Sequence, residues 1–419
     1  MFATRSSLYW PLILGFAGLG AVVAFGESTS SSPGERAAAA KPTPMSGLYA
    51  GVKPPETSEQ AADFVRALEA CPNLRGALLA AHWDEIEPEE GKYDFSSLDR
   101  CIDLVRKAGK QYKFKVETGI YSPQYIYKAG AVRFDTVIAN PNRSNYGDPA
   151  TIPVPWDPGY QRHFSRLIRA MGQRYASDPH CVAVTLTCAN YQSAEMHLPK
   201  RPEDMKRWAE LGLTPERLLK VYFQYMDEWA AAFPRQLICL HMSKTTDLSG
   251  MSDDQFSERI VQYGLEKHAD QFALQSNGLN GRKERMDDPG NPIMKYRGRL
   301  INGFQSFASF RTPERQGSIE MATLNYVKAD AEYWELWGED GLSSETCRRV
   351  QAAVDEAQRL GYESYKHKLI ETGRYARAED DRWSEIIGER KKAKDAGRQD
   401  RPTSAPAERL VIERVPSSG

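Results

Sequence analysis

Eight apolar runs of strand length alternate with amphipathic helical stretches along this chain, and that rhythm constrains the fold more than any other feature. The runs are Gly47–Val52, Leu74–Ala81, Lys113–Glu117, Val182–Thr187, Gln236–His241, Phe272–Gln275, Leu300–Phe304 and Ala331–Leu336. Short apolar runs bounded by turn signals read as strands buried on both faces. Helical spacing fills most of the gaps, over Ser58–Glu69, Ser96–Lys107, Tyr160–Tyr175, Pro215–Phe233, Asp253–His268, Ile319–Lys328 and Glu345–Leu360. Thr214-Pro215-Glu216 and Ser343-Ser344-Glu345 each join a capping hydroxyl to an acid in the first turn, which marks a helix start. Strands alternating with helices imply a parallel sheet. Eight of them predict a (β/α)8 TIM barrel, an α/β fold with long loops after several strands. An open doubly wound sheet is the competing arrangement, but no glycine-rich phosphate loop follows the first run.

In a parallel barrel the chemistry gathers where strands end. His82, Trp83, Asp84 and Glu87 follow the second run, and Glu117 and Tyr121 the third. Asn190, Tyr191, Glu195 and His197 follow the fourth, His241 the fifth, and Gln275 and Asn277 the sixth. Gln305 closes the seventh, and Trp334, Glu335 and Trp337 lie on the eighth. A barrel with only a structural role has little reason to repeat this pattern. Sugars need such a lining, because their hydroxyls bond to acids, amides and imidazoles while their C–H faces lie on aromatic rings. The expected substrate contacts are therefore His82, Trp83, Glu117, Tyr121, Asn190, His197, His241, Asn277, Gln305, Trp334 and Trp337. Trp156 and Tyr191 are further candidate platforms.

The segment Trp83-Asp84-Glu85-Ile86-Glu87-Pro88-Glu89-Glu90-Gly91-Lys92-Tyr93-Asp94-Phe95 resembles the loop after the second strand in glycoside hydrolases of β/α-barrel fold, the β-galactosidase-like ones especially. Glycoside cleavage needs two carboxyl groups, one protonated and one ionised. In the clan of retaining barrel hydrolases the acid/base glutamate follows strand four, which implies Glu195 here. The Asn-Glu pair common in that clan reads Ala194-Glu195 in this chain. The clan's nucleophile ends strand seven, where this chain has Gln305, and an amide cannot attack as a carboxylate. Glu335 is the first substitute, with Glu117 second and Asp84 third. A glutamate between Trp334 and Leu336 either has a raised pKa or a dedicated partner, such as a buried Lys or Arg. The acidic run Glu85–Glu90 reads mostly as a turn fixed by Trp83 and Glu87, with Asp94 capping the next helix.

The remaining features bound these readings. A net charge of −1 gives no bulk attraction toward nucleic acid. The seven histidines and six cysteines are too scattered for a metal site, and no cofactor is implied. The cysteines sit in apolar patterns and read as buried free thiols. Residues 1–26, with Arg5 before the apolar span Leu8–Phe25, read as a signal peptide or N-terminal anchor, so a membrane is a partner only if that segment stays uncleaved. The protein is then expected to be exported, to the periplasm or beyond. Residues 27–44 read as a disordered linker, 45–377 as the barrel, and 378–419 as a charged tail with one helix over Asp380–Lys394. The long connections 128–158 and 280–297 are expected to wall a cleft, for an oligosaccharide or equally for a protein partner. Two functions follow: a glycoside hydrolase using Glu195 and Glu335, or a catalytically inactive barrel that binds carbohydrate.

Overall fold

A computed structural model describes residues 42–399, apart from 53, 54, 56, 246, 247 and 286–290. The expected signal or anchor, most of the expected linker and the last stretch of the tail lie outside the described residues.

Eight parallel strands close into one barrel: β1 (Gly47–Val52), β2 (Leu74–His82), β3 (Gln111–Glu117), β4 (Cys181–Thr185), β5 (Leu237–Met242), β6 (Phe272–Leu279), β7 (Ile301–Ser306) and β8 (Tyr333–Trp337). Each pairs with its sequence neighbour, and β8 closes on β1 through Tyr49↔Glu335. The barrel expectation is met, and every apolar run read from the sequence overlaps one strand. Side chains of a strand alternate faces. Leu48, Ala50, Ala77, Leu79, Phe114 and Val116 therefore turn to the helices and join the large outer core. Tyr49, Val182, Cys239, Ala273 and Tyr333 form a second, inner cluster.

The inner cluster needs small residues opposite its tyrosines. A Cβ on Gly303 would lie 1.9 Å from the Tyr333 ring, and one on Gly76 would lie 2.7 Å from the Tyr49 ring. Both are far inside van der Waals contact, so glycine is required there for packing.

The helices start where capping chemistry says they should. Thr214 Oγ1 accepts from the Arg217 N–H at 3.1 Å, and Ser343 Oγ from the Thr346 N–H at 3.3 Å. Asp94 accepts from the Ser96 N–H at 2.9 Å, one position before the cap itself. All six cysteines are free and buried.

The connection 128–158 is more ordered than expected. It carries an antiparallel hairpin, Arg133–Val137 with Pro149–Pro153. Phe134 of this hairpin stacks on Trp208 at 3.5 Å between centroids. Trp156 donates from its indole to the Leu211 carbonyl at 3.1 Å and packs on the same Trp208. It is a structural ring, which corrects its expected use as a sugar platform. The helix read over Asp380–Lys394 spans Trp383–Gln399. Among the described residues, no helix is long and apolar enough to cross a membrane.

Candidate active site

The carboxyl ends of the strands carry two polar layers, one sealed and one open. The sealed layer centres on Lys113, which β3 points into the barrel interior where no water reaches it. Its ammonium donates to Glu335 Oε1 at 2.8 Å, to Gln275 Oε1, and to His241 Nε2 at 3.0 Å. The Gln275 amide donates to Glu335 Oε2 and to Asn277 Oδ1, both at 2.8 Å. Burial, with Lys113 and Lys115 nearby, drives the His241 pKa well below its ordinary value, so the imidazole is neutral.

Glu335 was the first choice for the second carboxylate, and this layer corrects that choice. It is fully buried and ion-paired with a fully buried lysine. The cause is strand periodicity. Glu335 points inward, but one layer below the mouth. Two residues later on the same face, Trp337 emerges with 44% of its surface exposed, its indole donating to the Ser306 carbonyl at 2.9 Å. Trp334, one position before Glu335, points the other way. It is buried against Tyr326 and Phe310 in the helical layer, with its indole on Ser306 Oγ at 2.8 Å, so it contacts no substrate.

Trp83 is corrected in the same way. It is fully buried, packs on Phe164 and Tyr160, and donates to Glu87 Oε2 at 2.9 Å. Glu87 in turn holds Arg166 and the Gly91 N–H, each at 2.9 Å. This segment is scaffold, as the turn reading of the acidic run implied.

The open layer begins at the end of β3. Glu117 Oε1 lies 2.8 Å from the Lys115 ammonium, and Oε2 lies 3.5 Å from His82 Nε2. Burial alone would raise the Glu117 pKa, but Lys115 and His82 together bring it down to about 2. His82 stacks flat on Tyr121, 3.8 Å between centroids, and its Nδ1 lies 3.2 Å from Glu85. Burial lowers its pKa, and the flanking carboxylates outweigh that and raise it.

Glu195 stands in the loop after β4 and experiences the opposite balance. Burial pushes its carboxyl up, the negative charge of Glu117 adds to this, and Ser193 and Lys115 only partly offset it. Ser193 Oγ donates to its Oε2 at 3.0 Å. Asn190 fixes the loop beneath it, accepting from the Cys188 N–H at 2.7 Å and donating to the Glu195 carbonyl at 2.8 Å. Asn190 is therefore a positioning residue. His197 follows closely, held neutral by burial with a pKa of about 4, and its Nδ1 is buried without a hydrogen-bond partner. Asn277 and Gln305 are half-buried at the ends of β6 and β7. Sequence reasoning missed Lys115, the cation shared by Glu117, Glu195 and Glu335. The signal was present in Lys113-x-Lys115-x-Glu117, three charges at a period of two on one face of a strand otherwise buried. Among the described residues no group of His, Cys, Asp or Glu has a metal-binding arrangement.

Residues 74–225 match the glycoside hydrolase 42 family model, described as Beta-galactosidase. The match contains β2 to β4 with Glu117 and Glu195, and it ends before β7. Among curated proteins, Beta-galactosidase BbgII of Bifidobacterium bifidum is 33% identical over 108 residues, 24% of this chain and 14% of that protein. The chain thus matches only a small part of that relative's length. Among solved structures, the β-galactosidase of the psychrophilic Marinomonas ef1 is 11% identical with a TM-score of 0.47, covering 75% of this chain and 60% of that one. The catalytic domain of the β-amylase of Paenibacillus polymyxa is 12% identical with a TM-score of 0.48, covering 74% of this chain and 99% of that one.

Proposed function

From a glycoside-hydrolase-type barrel whose residues 74–225 carry the β-galactosidase family signature, we propose a hydrolase that cleaves a glycosidic bond between Glu195 and Glu117. One observation carries the reading: neighbouring carboxyls at the mouth are perturbed in opposite directions. Groups whose environments drive their pKa values apart divide the acid and base roles between them. Burial and the charge of Glu117 shift Glu195 toward its protonated form, which suits it to deliver a proton to the departing glycosidic oxygen. Glu117 stays ionised and faces the positive charge that develops on the sugar ring. Lys115 keeps Glu117 charged, and Ser193 orients the acid. Trp337 and Tyr121 offer rings for the sugar's apolar face, while His82, His197, Asn277 and Gln305 supply polar edges; His241 is sealed beneath them against Lys113, which corrects its expected use as a substrate contact.

The sugar follows from the family match alone, so β-galactosides are the first substrates to test. Export is part of the proposal and rests on the sequence of residues 1–26, and fractionation of expressing cells tests it. The decisive experiment compares wild type with Glu195→Gln on a panel of β-galactosides and other oligosaccharides. Loss of turnover by about 100-fold or more is expected, and unchanged turnover would remove Glu195 from the mechanism.

A second reading, a barrel that binds sugar without cleaving it, is favoured by Gln305 at the end of β7 and by the sealing of Glu335. Wild-type protein that binds a glycan by calorimetry yet turns over none of the panel would establish it.

A further inference from the structure

The helix Trp383–Gln399 touches loops on opposite sides of the barrel mouth. At its start, Asp381 pairs with Arg282 at 3.1 Å and Lys283 at 3.2 Å, in the loop after β6. Trp383 meets Phe307 edge-on at 5.7 Å between centroids, beneath the guanidinium groups of Arg282 and Arg315. Arg390 lies 3.7 Å from Glu314 after β7 and 3.4 Å from Asn142 after β3. At the far end the Lys394 ammonium donates to the Arg143 carbonyl at 2.6 Å, and the Tyr146 hydroxyl donates to Asp395 at 3.0 Å.

In a ring of eight strands, β3 and β7 stand opposite one another. From Trp383 to Asp395 the helix rises about 18 Å at 1.5 Å per residue, enough to reach from one side to the other. A rod held on both rims lies across the opening. Its far foot also reaches the site, since Arg143 donates to the Tyr121 hydroxyl at 3.2 Å and to the Gln192 carbonyl. Tyr121 carries His82, and Gln192 precedes Ser193 and Glu195. The attachments are ion pairs, side-chain hydrogen bonds and the ring contacts of Trp383, spread from Asp381 to Asp395. A cavity of about 540 Å³, lined in part by Ile138, Tyr146, Arg201 and Lys391, remains near the far foot, between the helix and the hairpin connection.

We propose that residues 381–399 form a strap across the mouth that selects ligands by size, admitting short glycans and chain ends and excluding the interior of a polymer. This rests on the mouth around Glu195 being where the glycan binds. It makes the strap a specificity element for that site.

The test reads access directly and needs no turnover. Ser193→Cys places a thiol beside Glu195, and the six native thiols are buried, so background labelling is low. Iodoacetamide and a maleimide carrying a long polyethylene glycol chain are compared on the full chain, on a chain ending at residue 380, and on Asp381→Asn/Trp383→Ala. Either change is expected to speed the bulky reagent about tenfold, equivalent to about 1.4 kcal/mol, and to change iodoacetamide less than about twofold. The double substitution keeps the result readable if the shortened chain folds poorly. Equal acceleration of both reagents, or of neither, overturns the strap. Loss of the proposed chemistry is read separately, through turnover by Glu195→Gln, so the two failures are distinguishable.

Discussion

Replacing Glu335 by glutamine asks whether that carboxylate serves the fold or the chemistry. In the wild-type protein Oε1 accepts from the Lys113 ammonium and Oε2 from the Gln275 amide, each at 2.8 Å, and no water reaches any of the three. A carboxylate is acceptor-only, so it satisfies both donors at once. An amide of the same shape has one acceptor oxygen, so its NH2 must face either the ammonium or the Gln275 NH2. The substitution also leaves Lys113 charged, buried and without its counterion. Breaking a buried pair from one side costs about 3–5 kcal/mol. At about 2 °C per kcal/mol for a domain of this size, Tm should fall by about 6–10 °C. Thermal and urea unfolding measure this. The double variant Lys113→Met/Glu335→Gln should recover part of the loss, because the uncompensated charge is gone. An unchanged Tm for Glu335→Gln together with abolished turnover would refute the reasoning and return Glu335 to the catalytic pair.

Three other outcomes follow. Glu117 has a folded pKa of about 2, below its ordinary carboxylate value near 4.5, so its contribution is fully present above pH 4.5 and is lost as pH falls toward 2. That lowering is worth roughly 3 kcal/mol, and urea midpoints between pH 5 and 2.5 should fall less steeply in Glu117→Gln than in wild type. Trp83→Phe removes the bond to Glu87 and should lower stability by about 1–3 kcal/mol, since a buried acceptor loses a donor, while leaving KM unchanged. A raised KM would put Trp83 back in the cleft. Trp337→Ala should raise KM with a smaller change in kcat and little change in Tm, because the ring is 44% exposed; an unaffected KM would remove it as a platform.

Much of the fold was legible because its signals are local. Each strand was marked by its own apolar run, and each helix by a 3.6-residue pattern and a cap such as Thr214 or Ser343. The family resemblance rested on Trp83 to Phe95, and its mostly structural character showed in a Pro turn and in the contacts of Glu87. The hairpin Arg133–Val137/Pro149–Pro153 escaped notice because its strands are short and its connection is rich in Asn, Pro and Gly. Its order comes from Phe134 on Trp208, a contact between residues far apart in sequence.

The site was legible in kind but not in depth. The strand ends could be named from the sequence, and Glu195 was singled out from its place after the fourth strand. Which of two inward-pointing residues on one strand reaches water was decided only by the closed barrel. Glu335 and Trp337 differ by two positions on one face, yet one is sealed and the other exposed. The partner of Glu335 is Lys113, 222 positions away; Glu117 is lowered by Lys115 on its own strand and His82 on the next, while Glu195 is raised by burial and by the charge of Glu117. Periodicity along one strand is a property of the chain. The depth of a residue below the mouth depends on how eight strands are staggered around a ring, and only their joint packing sets that.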